Sequence, residues 1–299
     1  MARHLIKRNK QEERTALLLF LPFGLLFFVF TILPVVSSAV LSLSTFPVIQ
    51  PPVWVGFQNY KYLFTQDTLF LKALTNTFTF AVLSGIIGYM MSFLIAWTIN
   101  NMRGKMVYAL AFYAPSITSG IAMSIVWLSF FSSDAYGFIN SWMMRMGIIE
   151  SPILWTKNPE YITFVIVFVS VWMGMGSGFL AFLAGFQNLS AEISEAGLID
   201  GVKSKFQELI YIILPQMKPM LLFGAITSVT NAFNIFEVPL TMVGSPGPEN
   251  ASLTLVGEVN DYAFTRLDLG YASSIAMMLF GITFLVSRVL FRALSSKEE

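Results

Sequence analysis

Residues 190–219 read SAEISEAGLIDGVKSKFQELIYIILPQMKP, a long polar stretch set between two strongly apolar ones. Leu189, Ile193, Ala196, Ile199, Val202, Phe206 and Leu209 recur at steps of three or four. That spacing lays one apolar stripe on a helix whose other faces carry Glu192, Glu195, Lys203, Lys205 and Glu208. Such a helix can dock sideways on a partner. Gly201 interrupts it at a cost of about 1 kcal/mol relative to Ala, which predicts a bend between a first helix and a second. Pro215 and Pro219 mark the entry into the next apolar segment.

The rest of the chain has the composition of a bilayer protein. Of its 299 residues, 56% are hydrophobic, 15% aromatic and only 12% charged, and the mean hydropathy is +0.69. One soluble core cannot bury that much apolar surface. A net charge of +1 argues for neither a nucleic-acid partner nor an acidic substrate. With no cysteine, disulfides, thiolate metal sites and Cys nucleophiles are excluded, and the single histidine, His4, leaves the body of the chain without the usual general base or metal ligand. No catalytic residue, metal site or cofactor is therefore expected.

Six transmembrane helices are predicted, at about 16–43, 75–99, 106–131, 161–187, 219–243 and 269–288. They form one all-α polytopic membrane domain over 15–293, with a polar loop at 188–218 and short tails at 1–14 and 294–299. The first segment, with Pro22 and Pro34 inside it, is longer than the roughly 7–15 apolar residues of a signal peptide and reads as a retained helix. Trp54, Phe57, Tyr60 and Tyr62 suit a short helix at the membrane interface, where ring and polar tip divide between lipid and water. The N-terminal tail, the turn at Arg103, the 188–218 loop and the C-terminus together hold 13 of the 18 Lys and Arg, so the positive-inside rule puts both termini and that loop in the cytoplasm.

Glu237 is the lone carboxylate inside a predicted span, in NAFNIFEVP over 231–239. A carboxylate at depth costs up to about 3 kcal/mol and needs a polar partner or a water-filled cavity. With Asn234 and Asn231 behind it, Glu237 either marks a face that lines a path for a hydroxyl-rich solute, or is a buried carboxylate bonded to a neighbouring helix or subunit, or sits near the outer mouth. Gly174, Gly176 and Gly178 with Ser177, and Gly85 with Gly88, read as close helix packing in preference to a ligand loop. No stretch has the G-x-x-x-x-G-K-[ST] phosphate cradle, and Gly244-Ser245-Pro246-Gly247 lacks the lysine, so ATP-driven transport would need a separate ATPase.

Glu195-Ala196-Gly197, Asp200-Gly201, Phe206, Ile212-Ile213-Leu214-Pro215 and Pro219 resemble, in order and type, the EAA loop of the integral-membrane subunits of binding-protein-dependent ABC importers. Gly197 stands where that loop has its second Ala, and the step from Gly201 to Pro215 is longer by one than the commonest form, as also occurs among carbohydrate permeases. Trp54 to Thr77 and LPFGLLFFVFTILP at 21–34 resemble the first permease type of sugar importers, the class of the maltose and glycerol-phosphate transporters. The resemblance implies a coupling helix in which Glu195, Ala196, Gly197, Asp200, Gly201, Phe206 and Pro215 engage an ATPase groove, Ala196 and Gly197 allowing close contact and Gly201 making the turn. Read from the residues alone, the same segment is a surface helix of a bundle with Gly201 as its C-cap.

The resemblance further implies a bacterial inner-membrane location, a second permease subunit, two copies of an ABC ATPase, an extracytoplasmic solute-binding protein and a carbohydrate cargo, in particular an oligosaccharide. An importer for peptides, amino acids or polyamines fits the EAA loop equally. A membrane-embedded enzyme would need paired acid–base groups at depth, and a passive channel would leave the 188–218 loop without a purpose.

Overall fold

A computed structural model describes residues 10–295 of the chain. Residues 1–9 and 296–299, which hold His4 and most of the two expected tails, lie outside the described residues.

The chain opens with α1 (Lys10–Phe27), a wide π turn at Phe28–Ile32, and α2 (Leu33–Leu41). Pro34 in the first turn of α2 has no N–H to give to the turn before it, which fits the widening there. A two-residue antiparallel pair follows, β1 (Ser44–Thr45) with β2 (Val53–Trp54), Ser44 opposite Trp54. Next come α3 (Gln58–Thr65) and α4 (Thr68–Asn100), whose N-cap Asp67 accepts from Phe70 N–H. Trp54 and Phe57 are exposed, as an interfacial pair should be. Tyr62 is exposed as well, with one ring edge against Tyr271, whereas Tyr60 is half-buried and its hydroxyl donates to Ser42 Oγ at 2.8 Å.

The segment expected as one helix at 106–131 is two, α5 (Lys105–Ile117) and α6 (Gly120–Phe130), bent by 100°. Pro115, the extended Thr118 (φ −82°, ψ 148°) and Ser119, which caps α6 through its hydroxyl, end one helix and start the other. After α7 (Phe138–Arg145) comes α8 (Pro159–Gln187), then the short α9 (Ala191–Ile199) and α10 (Lys205–Glu208) of the polar loop. A second π turn, Leu209–Ile213, precedes α11 (Leu214–Gln216) and α12 (Lys218–Phe233). The fifth span is likewise interrupted: α12 stops at Phe233 and α13 (Glu237–Met242) resumes after three residues. The chain closes with α14 (Leu255–Asn260) and α15 (Leu269–Ser295).

Among the described residues, five helices are long and apolar enough to cross a membrane, or six when the bent pair is counted as one broken span. The core of the bundle is α4 packed on α8, with α5 against α8 and α12 between α4 and α15. Hydroxyls tie these helices together: Ser92 Oγ donates to Met175 O at 3.0 Å, Ser228 Oγ to Gly85 O at 3.1 Å and Tyr89 OH to Leu221 O at 3.3 Å. In a medium without water, such bonds supply specificity that apolar contact alone does not.

Candidate functional site: the polar loop and the central cavity

The polar loop folds as a lever joined to two spans. α9 ends at Ile199, Asp200 N–H and Val202 N–H close its last turn on Ala196 O and Gly197 O, and Gly201 takes φ +97°, a conformation that side chains with a Cβ rarely adopt. Gly201 therefore makes the turn. Ser204 then caps α10 by accepting from Gln207 N–H at 3.1 Å, and Lys205 pairs with Glu208 at 2.9 Å.

The apolar stripe of this loop splits between two duties. Leu209 is buried in the cluster formed by Phe182, Phe186 and Met217. Ile193, Ile199 and Phe206 are exposed, Ile199 by 87%, and Glu195, Ala196, Asp200 and Pro215 are exposed beside them. Gly197 differs from its neighbours, because it is buried and a Cβ there would collide with Ile212 Cδ1. Its small size thus serves an internal contact that seats α9 on the Leu209–Ile213 turn.

Asn231, Asn234 and Glu237 all line one cavity of about 420 Å³ between α4, α8, α12 and α13. All three are exposed to it or to solvent within this chain. The break in the fifth span positions them. Asn234 Nδ2 donates back to Thr230 O at 2.7 Å, and Asn234 N–H bonds to Asn231 O, so the helix end is closed by its own asparagine. Glu237 opens α13 and its Oε2 lies over Gly120, at the N-terminus of α6.

Sequence reasoning missed most of the remaining wall. Ser84, Gly88 and Ser92 line it from α4, and Ser170, Gly174 and Gly178 line it from α8. Both sets are spaced by four, which places each on one helix face, and that spacing was the available signal. The glycines divide. Gly176 packs tightly on Ser116 and Tyr113, as close packing predicts, whereas Gly88 and Gly174 have nothing within 4 Å of a would-be Cβ and leave open space. Ser170 Oγ is buried without a hydrogen-bond partner among the described residues, unlike Ser84 and Ser92, which donate to the carbonyls four residues back.

A second polar cluster lies between the fifth and sixth spans. Glu258 is buried with Oε2 unpartnered among the described residues. Desolvation, reinforced by Asp67, pushes its carboxyl up to about 7, with Arg266 opposing. Asp67 is itself buried and accepts from the Tyr271 hydroxyl at 2.6 Å, while Arg266 pairs with Asp261 at 2.7 Å and lies over the Tyr262 ring.

Comparison with known proteins places this geometry. The family described as "Binding-protein-dependent transport system inner membrane component" matches residues 104–297. Among curated relatives, the Probable ABC transporter permease protein YesP of Bacillus subtilis is 33% identical over 93% of this chain and 91% of its own. The arabinooligosaccharides transport system permease protein AraP of the same organism is 29% identical over 90% and 84%. The multiple sugar-binding transport system permease protein MsmF of Streptococcus mutans is 33% identical over 82% of each. Among solved structures, a chain of a bacterial ABC transporter involved in the import of the acidic polysaccharide alginate superimposes with a TM-score of 0.81 at 19% identity, over 97% of this chain and 99% of that one.

Proposed function

The chain belongs to the family of inner-membrane components of binding-protein-dependent transport systems, and from that premise we propose that it is the permease subunit of an ATP-driven importer that forms half of the path for an oligosaccharide. It is a transport subunit and not itself an enzyme, ATP being hydrolysed by a separate ATPase. The exposed apolar face of α9, Ile193 with Ala196 and Ile199, carries this reading, because it is held on the bundle and has no partner within the described chain.

The transporter pairs this chain with a second permease, two copies of the ATPase and an extracytoplasmic solute-binding protein. Both termini and the 188–218 loop face the cytoplasm, supported by the 13 of 18 basic residues gathered there. When ATP closes the ATPase dimer, it moves the segment Glu195 to Gly201, with Asp200, Phe206 and Pro215 framing the groove contact. Gly197 transmits the motion, since its contact with Ile212 ties α9 to the Leu209–Ile213 turn and so to α12. α12 carries Asn231, and its displacement opens or closes the cavity in which Asn231, Asn234 and Glu237 contact cargo.

The carbohydrate assignment is supported by the cargo in the names of AraP and MsmF and by a cavity of serines and asparagines, which donate and accept like sugar hydroxyls. Affinity purification in mild detergent, followed by mass spectrometry, tests the assembly. Wild type is expected to bring a nucleotide-binding protein and a second permease, and Gly201→Asp to lose the ATPase and abolish uptake while still inserting. A chain recovered alone, with the variant indistinguishable, would sink the importer assignment.

A further inference from the structure

We infer that the central cavity admits uncharged or amino-bearing saccharides and rejects those carrying carboxylate or sulfate groups, an inference that rests on taking the cavity as the cargo path. Among the lining residues, Glu237 is the one charged side chain, and there is no Lys, Arg or His to meet an anion. Neutral groups supply every other polar side chain of the lining: the hydroxyls of Ser84, Tyr89, Ser92, Ser170 and Ser228 and the amides of Asn231 and Asn234.

The neighbourhood contains one built-in place for an anion, the N-terminus of α6, where free N–H groups and the helix dipole favour negative charge. The protein's own carboxylate already covers it, because Glu237 Oε2 sits over Gly120. An anionic cargo would have to dislodge that carboxylate or pass beside it between low-dielectric walls, where repulsion is far stronger than in water. An amine on the sugar would gain from the same charge. The segments that this reading puts on the face opposite the polar loop lean to the same sign: with the buried Asp67 and Glu258 set aside, Asp134, Glu150, Glu160, Glu249, Asp261 and Asp268 stand against Lys61, Lys72, Arg145, Lys157 and Arg266.

The absence of cysteine provides a probe of this field that needs no knowledge of the cargo. Asn234→Cys, purified within the whole transporter, is treated with a methanethiosulfonate bearing trimethylammonium or one bearing sulfonate, and modification of this chain is followed by its mass. Relative to their rates with a free thiol in solution, the cationic reagent should react at least about tenfold faster than the anionic one, and Glu237→Gln in the same background should reduce that ratio to within about twofold. Equal rates with Glu237 present, or a ratio untouched by Glu237→Gln, would overturn the charge selection while leaving the path reading intact. A thiol that neither reagent reaches, both here and in Asn231→Cys, would overturn the path reading and this inference with it. Uptake of digalacturonate through this transporter would overturn the inference directly.

Discussion

Glu237 Oε2 occupies the space where a side chain at Gly120 would begin, so the broken third span and the broken fifth span meet at one carboxylate. Glu237 lies in the first turn of α13 and against the N-terminus of α6, and both dipoles favour its charge. Two such contacts of about 0.5–1 kcal/mol each offset part of the cost of carrying a carboxylate to membrane depth. The two helix breaks are thus the local reason that Glu237 is tolerated there.

Replacing Gly120 with Ala should displace the carboxylate, the far end of a flexible side chain, and leave the backbone in place. The expected loss of stability is about 1 kcal/mol, and it should not add to that of Glu237→Gln. A double-mutant cycle on the melting of the purified transporter measures the coupling. Full additivity would mean that the two residues do not act on one another.

At Gly270 the obstacle is backbone: a Cβ would run into Ser44 O and lie 2.8 Å from Phe46 N, where Leu269 N–H already bonds Phe46 O at 2.9 Å. Gly270→Ala should therefore cost about 3 kcal/mol or more. Gly281→Ala in the same helix has nothing within 4 Å and should stabilise by up to about 1 kcal/mol. Thermal unfolding of the two variants side by side checks both signs.

Asn140 is fully buried and organises the loop between α6 and α8. Its Nδ2 donates to Ser132 O, Asp134 O and Ile153 O at 2.9–3.1 Å, and its Oδ1 accepts from Ile153 N–H and Trp155 Nε1–H. Asn140→Ala strands those groups and should cost about 3–5 kcal/mol. Limited proteolysis within 131–158 should accelerate; an unchanged digestion pattern would show that the loop is held by other contacts.

The raised carboxyl of Glu258, at about 7 against an ordinary 4.5, gives the fold a pH dependence. Between those values the folded protein holds a proton that the unfolded chain has released, so stability is highest at low pH and falls as pH rises through the window. The full effect is up to about 3 kcal/mol. Glu258→Gln should flatten the slope between pH 4.5 and 7 and leave the protein more stable than wild type at pH 8. A slope that persists in the variant would show that Glu258 is not its source.

Much of the loop was legible because its chemistry is local. Gly201 as the turn follows from one residue's freedom to take positive φ, and Pro215 at a helix start follows from its missing N–H. The burial of Gly197 against Ile212 was not legible, since it depends on how α9 folds back. The cavity wall shows the same boundary. Ser84, Gly88 and Ser92 announce one face by their spacing, but a Gly face that packs and one that leaves a void share the same pattern, and Gly176 and Gly174 fall on opposite sides of that choice.

The sequence by itself determined the class of protein: apolar segments too many for any soluble core, and a polar loop with an amphipathic stripe set between two of them. Those properties are sums over local composition and need no knowledge of neighbours. The tertiary structure decided that the third and fifth spans break opposite each other and that Glu237 closes over Gly120. It also decided that the asparagines, serines and glycines of separate helices enclose one cavity. Each of these depends on which faces of distant helices meet, and the packing of the whole bundle selects those pairings.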